Sequence, residues 1–159
     1  MHYVILPVLG LMAAGLHIYF RKQGWDKKAV LETVIAYGLL FNMGASCLYA
    51  FMGHAFVSDQ VANYIGWPSG SPFQFEVAVA NLSYGILGTL CFWFRGRFWL
   101  ATIIGFSVFV LGAAYGHVVD IVEHHNYAPG NAGAPLYSDI IKPVVFIVLY
   151  AVHAKMSRQ

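Results

Sequence analysis

Residues 98–122 read FWLATIIGFSVFVLGAAYGHVVDIV. No Asp, Glu, Lys or Arg interrupts this run before Asp120. A helix that crosses a bilayer needs about 20 consecutive, mostly apolar residues, and this segment supplies them. Four further runs are of the same kind: 3–20, 29–56, 71–94 and 138–156. Run 3–20 is too long for a signal-peptide core and has no small-residue cleavage site after it. Run 29–56 exceeds what a span requires, so its first turns, with Glu32, are expected in the interface or accommodated by tilt. Ser71–Pro72 reads as a cap followed by proline at the first helical position. Ser138–Asp139 reads as a second capping pair, with Pro143 in the first turns, where proline costs least.

The composition agrees. The chain has 159 residues, of which 59% are hydrophobic and only 10% charged. Soluble domains sit near about 45–50% apolar and about 25% charged. A body this small buries the smallest fraction of its surface, so the apolar excess excludes a soluble monomer, and equally a disordered chain. A net charge of +2 is too small for a nucleic-acid footprint. Cys47 and Cys91 lie in apolar runs and form no C-x-x-C motif, which excludes a disulfide scaffold. The expected fold is all-α: one integral membrane domain over residues 1–159, a bundle of five transmembrane helices.

Charge placement sets an orientation. With five spans, Arg21, Lys22, Lys27, Lys28, Arg95, Arg97, Lys155 and Arg158 fall on one side, and only Lys142 on the other. The positive-inside rule makes the first side cytoplasmic. The N-terminus is then outside and the C-terminus inside, in a prokaryotic plasma membrane. Both long loops lie outside. The first holds an amphipathic piece, 58–65, capped by Ser58 and suited to the interface, before Trp67–Pro68 turns the chain back. The second, 124–137, reads HHNYAPGNAGAPLY and is rich in turn residues.

Ionisable groups inside spans are expensive and mark functional sites by default. Glu76 is expected ~6–8 Å below the start of the third span. His54 ends the second span and His117 lies in the outer third of the fourth. His117, Asp120 and His124 follow an i, i+3, i+7 pattern and share a face. Two imidazoles with carboxylates suit iron, zinc or copper. The expected metal set is His54, Glu76, His117, Asp120 and His124, with Asp120 a ligand or a partner orienting an imidazole, and Glu76 or Asp120 as catalytic acid or base. In a second reading, His54 and His117 are axial ligands of a b-type haem. In a third, Glu76 bonds to His54 or His117 in a polar network that holds the helices or passes a proton. Asn42 and Asn81 are expected to bond between helices, Asn81 also being a possible substrate contact. His17 reads as a helix contact, and His2, His125 and His153 as interfacial. Trp25, Trp67, Trp93 and Trp99 form an aromatic belt. Gly112-x-x-x-Gly116 offers a close approach to another helix.

The run from Phe51 to Asp139 contains FMGHAF, SPFQFEVAVANLSYGILG, GHVVD and NYAPGNAGAPLYSDII. It is similar to a family of small bacterial and archaeal multi-pass membrane proteins of unknown function. That resemblance implies the same membrane fold and sets His54, Glu76, His117, Asn131 and Asp139 within its motifs. A slighter likeness to DoxX-type four-helix membrane proteins, some of which serve quinone-linked oxidation, rests on size and helix layout alone. The leading expectation is a metal-dependent membrane protein, redox-active on a small or lipid-soluble substrate, with Asp139 completing the pocket. The alternatives are a quinone-linked electron-transfer protein, a carrier of protons or a small solute, and a non-catalytic subunit. The expected partners are the lipid bilayer and a homo-oligomer or larger complex formed through Gly112 and Gly116.

Overall fold

A computed structural model of the chain describes residues 2–21 and 26–157. Trp25, the charges of Lys22 and Arg158, and the side chain of His2 lie outside the described residues. Every element is helical, with no strand among the described residues. The elements are α1 (His2–Phe20), α2 (Lys27–Gly38), a π-helical segment (Leu39–Ala45), α3 (Ser46–Phe56), α4 (Ser58–Ile65), α5 (Phe73–Leu90), α6 (Arg97–His124) and α7 (Ala134–Met156).

Among the described residues, four helices are long and apolar enough to cross a membrane: Tyr3–Phe20, Lys27–Phe56, Arg97–His124 and Ala134–Met156. The third expected span forms α5, whose 18 residues include Gln74, Glu76, Asn81 and Ser83. Those polar groups leave it less apolar than the other four.

Five rods, namely α1, then α2 with the π segment and α3, then α5, α6 and α7, alternate in direction. One end of the bundle carries the starts of α2 and α6 with their basic residues. The opposite end carries α4 and the 125–133 loop. At the basic end Glu32 accepts from Arg95 Nη1 at 3.2 Å and lies 3.0 Å from His153 Nε2. That contact ties α2, the α5–α6 turn and the end of α7 together. His153 is thus held in the bundle, its side chain only 12% exposed, rather than free at the interface.

Packing in a bilayer gains little from burial, because lipid tails are as apolar as leucine; close approach of backbones matters more. The tightest approach is between α5 and the π segment. A Cβ added to Gly88 would stand 2.5 Å from the Gly44 amide nitrogen, and one added to Gly44 would stand 2.9 Å from Thr89 Oγ1. Gly85 likewise faces Leu48. These pairs run in opposite senses along the two rods, so α5 lies antiparallel to the second rod. The expected Gly112–Gly116 contact is not made within the chain. Among the described residues nothing outside the helix's own backbone lies within 4 Å of a Cβ at either glycine, because both point out of the bundle. His117, one residue on and ~100° round the helix, points in.

The apolar core gathers Ile35, Leu39, Met43, Cys47, Cys91, Trp99, Ile103, Phe106 and Phe146. Trp99 is fully buried and donates its indole N–H to the Cys91 carbonyl at 2.7 Å, so it is core rather than belt. Cys91 takes the C-cap position of α5. Trp67 and Trp93 are exposed near opposite ends of the bundle, as a belt requires.

Three helix starts differ from expectation. Pro72 takes the α5 cap position and no side chain caps that end. Val57, not Ser58, precedes α4. The α7 helix begins at Ala134, with Gly133 before it and proline in its first turn. Proline at that place is pre-organised for a helix, and it overrides the Ser138–Asp139 capping pair. Asp139, Lys142 and Pro143 are therefore deeper inside the helix than expected.

Candidate functional site

The second loop folds over the end of α6 as a hydrogen-bonded cap. Asn131, fully buried, brings its Oδ1 to 2.6 Å from His117 Nδ1 and donates Nδ2 to the Asn126 carbonyl at 2.8 Å. Asn126 Nδ2 in turn donates to Asp120 Oδ2 at 2.6 Å and to the Ile65 carbonyl at 2.9 Å. The Gly130 amide donates to the Tyr64 carbonyl at 3.0 Å. Gly66, with φ of 84°, lets the chain leave α4 directly beneath Asn126. A side chain there would be strained by its own backbone. The loop thus spends its amides satisfying the end of one helix and the exit of another.

The expected metal ligands fall into separate pairs. His54 Nδ1 bonds to Gln74 Oε1 across α3 and α5. His117 bonds to Asn131. His124 Nδ1 lies 3.0 Å from Asp120 Oδ1, an exposed contact between two residues of the same helix. Glu76 is exposed; it stands two residues, ~200° round α5, from the buried Gln74 that meets His54. The expected Glu76 bond to a histidine is replaced by amide bonds from Gln74 and Asn131. Among the described residues no group of three or more His, Cys, Asp and Glu side chains is placed to hold a metal ion. Asn81 donates to the Val77 carbonyl of its own helix at 2.9 Å, not across to a neighbour. His17 makes the expected helix contact, 3.1 Å from the Tyr37 hydroxyl.

A different group of polar side chains meets where α1, α3 and α7 come together. Lys142 Nζ donates to Ser46 Oγ at 2.9 Å and stands 5.7 Å from the centre of the Tyr3 ring. Lys142 is eight residues into α7, ~12 Å along its axis. Asp139 lies one turn earlier and interacts electrostatically with both Lys142 and Tyr3. Pro143 follows, fully buried. It has no N–H for the Asp139 carbonyl, its helical partner, and so leaves an acceptor there. Beside them the Ser138 hydroxyl is buried and, among the described residues, has no hydrogen-bond partner.

If α7 crosses a bilayer, a lysine this far along it costs up to about 2.5–3.5 kcal/mol on insertion scales. A hydrogen bond to a serine returns only about 0.5–1.5 kcal/mol. Asp139, one turn away, supplies an opposite charge in the same apolar helix, although among the described residues Lys142 makes its hydrogen bond to Ser46 and not to that carboxylate. Sequence reading places Lys142 at the outer end of the last span, because it starts that span at Ser138. The Ala134–Pro135 step is the signal that moves it inward.

A protein-family model described as a family of unknown function, DUF6790, matches residues 1–159, the whole chain. No curated protein and no solved structure matches it.

Proposed function

The chain belongs to DUF6790, a family of unknown function, and we propose that it works there as a proton-handling membrane carrier. In this reading Asp139 and Lys142 form the exchangeable site of a five-span bundle in a prokaryotic plasma membrane. The N-terminus is outside, the C-terminus is in the cytoplasm, and α5 counts as the third of the five spans. The antiparallel course of α5 along the second rod, through Gly44 and Gly88, supports counting it as a span despite its polar residues.

The observation that carries the reading is the contact of Lys142 with Ser46, with Asp139 one turn away inside an apolar helix. Asp139 accepts the proton. Lys142, held by Ser46, fixes the local field, and the Tyr3 hydroxyl lies within electrostatic reach. Leu39, Met43, Phe106 and Phe146 fill the core and are apolar, so they offer no relay toward the basic end. Exchange then takes place with the face that carries the long loops, and delivery across the membrane requires the helices to move against one another.

The test is proton uptake into proteoliposomes loaded with a pH-sensitive dye under an imposed membrane potential. The wild type should exceed protein-free liposomes, and Asp139→Asn should cut that excess at least tenfold. Asp139→Glu should retain part of it, which separates loss of the proton site from misfolding. Wild-type flux equal to that of empty liposomes, or full flux in Asp139→Asn, would overturn the proposal.

A further inference from the structure

At the basic end, α1 and α2 flank an open groove of about 490 Å³ lined by Ala13, Leu16, His17, Phe20, Arg21 and Tyr37. We propose that it binds one anionic phospholipid, with the phosphate at Arg21 and an acyl chain along Ala13, Leu16 and Phe20. This inference rests on the membrane reading of the chain and is independent of proton handling.

Two features of the groove favour that occupant. First, its apolar wall is a single stripe on α1, at i, i+3 and i+7, and only 11% of the α1 span is buried inside the bundle. The groove therefore opens sideways, where lipid chains lie. Second, its charge is one-sided among the described residues. Arg21 is exposed at the groove's end, and Lys27 and Lys28 open the next helix. The nearby acid, Asp26, is engaged as the cap of α2, accepting from the Lys28 and Ala29 amides at 3.2 and 3.3 Å. Between wall and mouth lies the His17–Tyr37 pair, with rings in edge-to-face contact at 5.6 Å. It supplies hydrogen-bonding groups at the depth where a glycerol ester would sit. Basic pockets between spanning helices near a membrane surface recognise anionic headgroups in this way.

The probe is dioleoyl phosphatidylglycerol, compared with dioleoyl phosphatidylcholine, titrated into delipidated protein and read as bound lipid by native mass spectrometry. Phosphatidylglycerol should bind more tightly than phosphatidylcholine. Arg21→Gln should weaken it roughly fivefold, as expected for one basic residue at a lipid surface, and bring it to the level of phosphatidylcholine. Leu16→Trp, which fills the groove, should exclude both lipids. Both residues are exposed, so neither change burdens folding. Equal binding of the two lipids to the wild type would overturn the proposal, as would full phosphatidylglycerol binding in both variants. Millimolar inorganic phosphate should leave the lipid in place; its displacement by phosphate would also overturn the proposal.

Discussion

Asn131 shows how much a single side chain contributes at the loop end. It is fully buried and joins His117, on α6, to Asn126, on the loop. Asn131→Ala would strand the His117 imidazole and the Asn126 carbonyl without partners. A stranded buried polar group costs about 1–3 kcal/mol, so this variant should lose stability of that order in mixed-micelle unfolding. The Glu32 contacts with Arg95 and His153 are partly open to solvent, with side-chain exposures of 27%, 40% and 12%. Pairs of that kind contribute about 0–1 kcal/mol, so Glu32→Gln should cost less than Asn131→Ala in the same assay, and its effect should shrink with added salt. The histidines and carboxylates of the loop-bearing half were legible in the sequence as unusual residues. Their partners were not, because amides from Gln74, Asn126 and Asn131 take the bonds and carry no charge pattern to reveal them.

At the level of elements, the glycines divide into two groups that the sequence does not separate. Gly88→Leu places atoms against the backbone of the π segment, where nothing flexible can yield. It should abolish the monodisperse, folded peak in detergent chromatography. Gly112→Ala and Gly116→Ala meet nothing. Those substitutions should leave monomer stability within about 0.5 kcal/mol, as surface changes do. Hydropathy found four of the rods, and α5 too, because length and apolarity are local properties. Helix starts were less legible. Ser71–Pro72 and Ser138–Asp139 both look like caps, yet the chain enters α5 after Pro72 and enters α7 four residues before Ser138. The second difference matters most, since it carries Asp139 and Lys142 from the mouth of a span into its interior. The π segment that precedes Ser46 widens a turn and re-phases the side chains after it; no feature of LLFNMGA announces it.

For the whole molecule, the proposed orientation makes a simple labelling prediction. Cys47 and Cys91 are buried, at 5% and 0% exposure, so the native protein should be silent to a membrane-impermeant maleimide. In intact cells Tyr127→Cys should label from outside and Lys155→Cys only after permeabilisation; the reverse pattern would invert the topology. The larger claim is that the bundle keeps an exchangeable proton at Asp139, beside a lysine held by Ser46. Infrared difference spectroscopy of the reconstituted protein, taken across a pH titration, addresses it most directly. The account predicts a carboxyl C=O band that titrates in the wild type, disappears in Asp139→Asn and shifts in Lys142→Met. A titration unchanged by Asp139→Asn would contradict it.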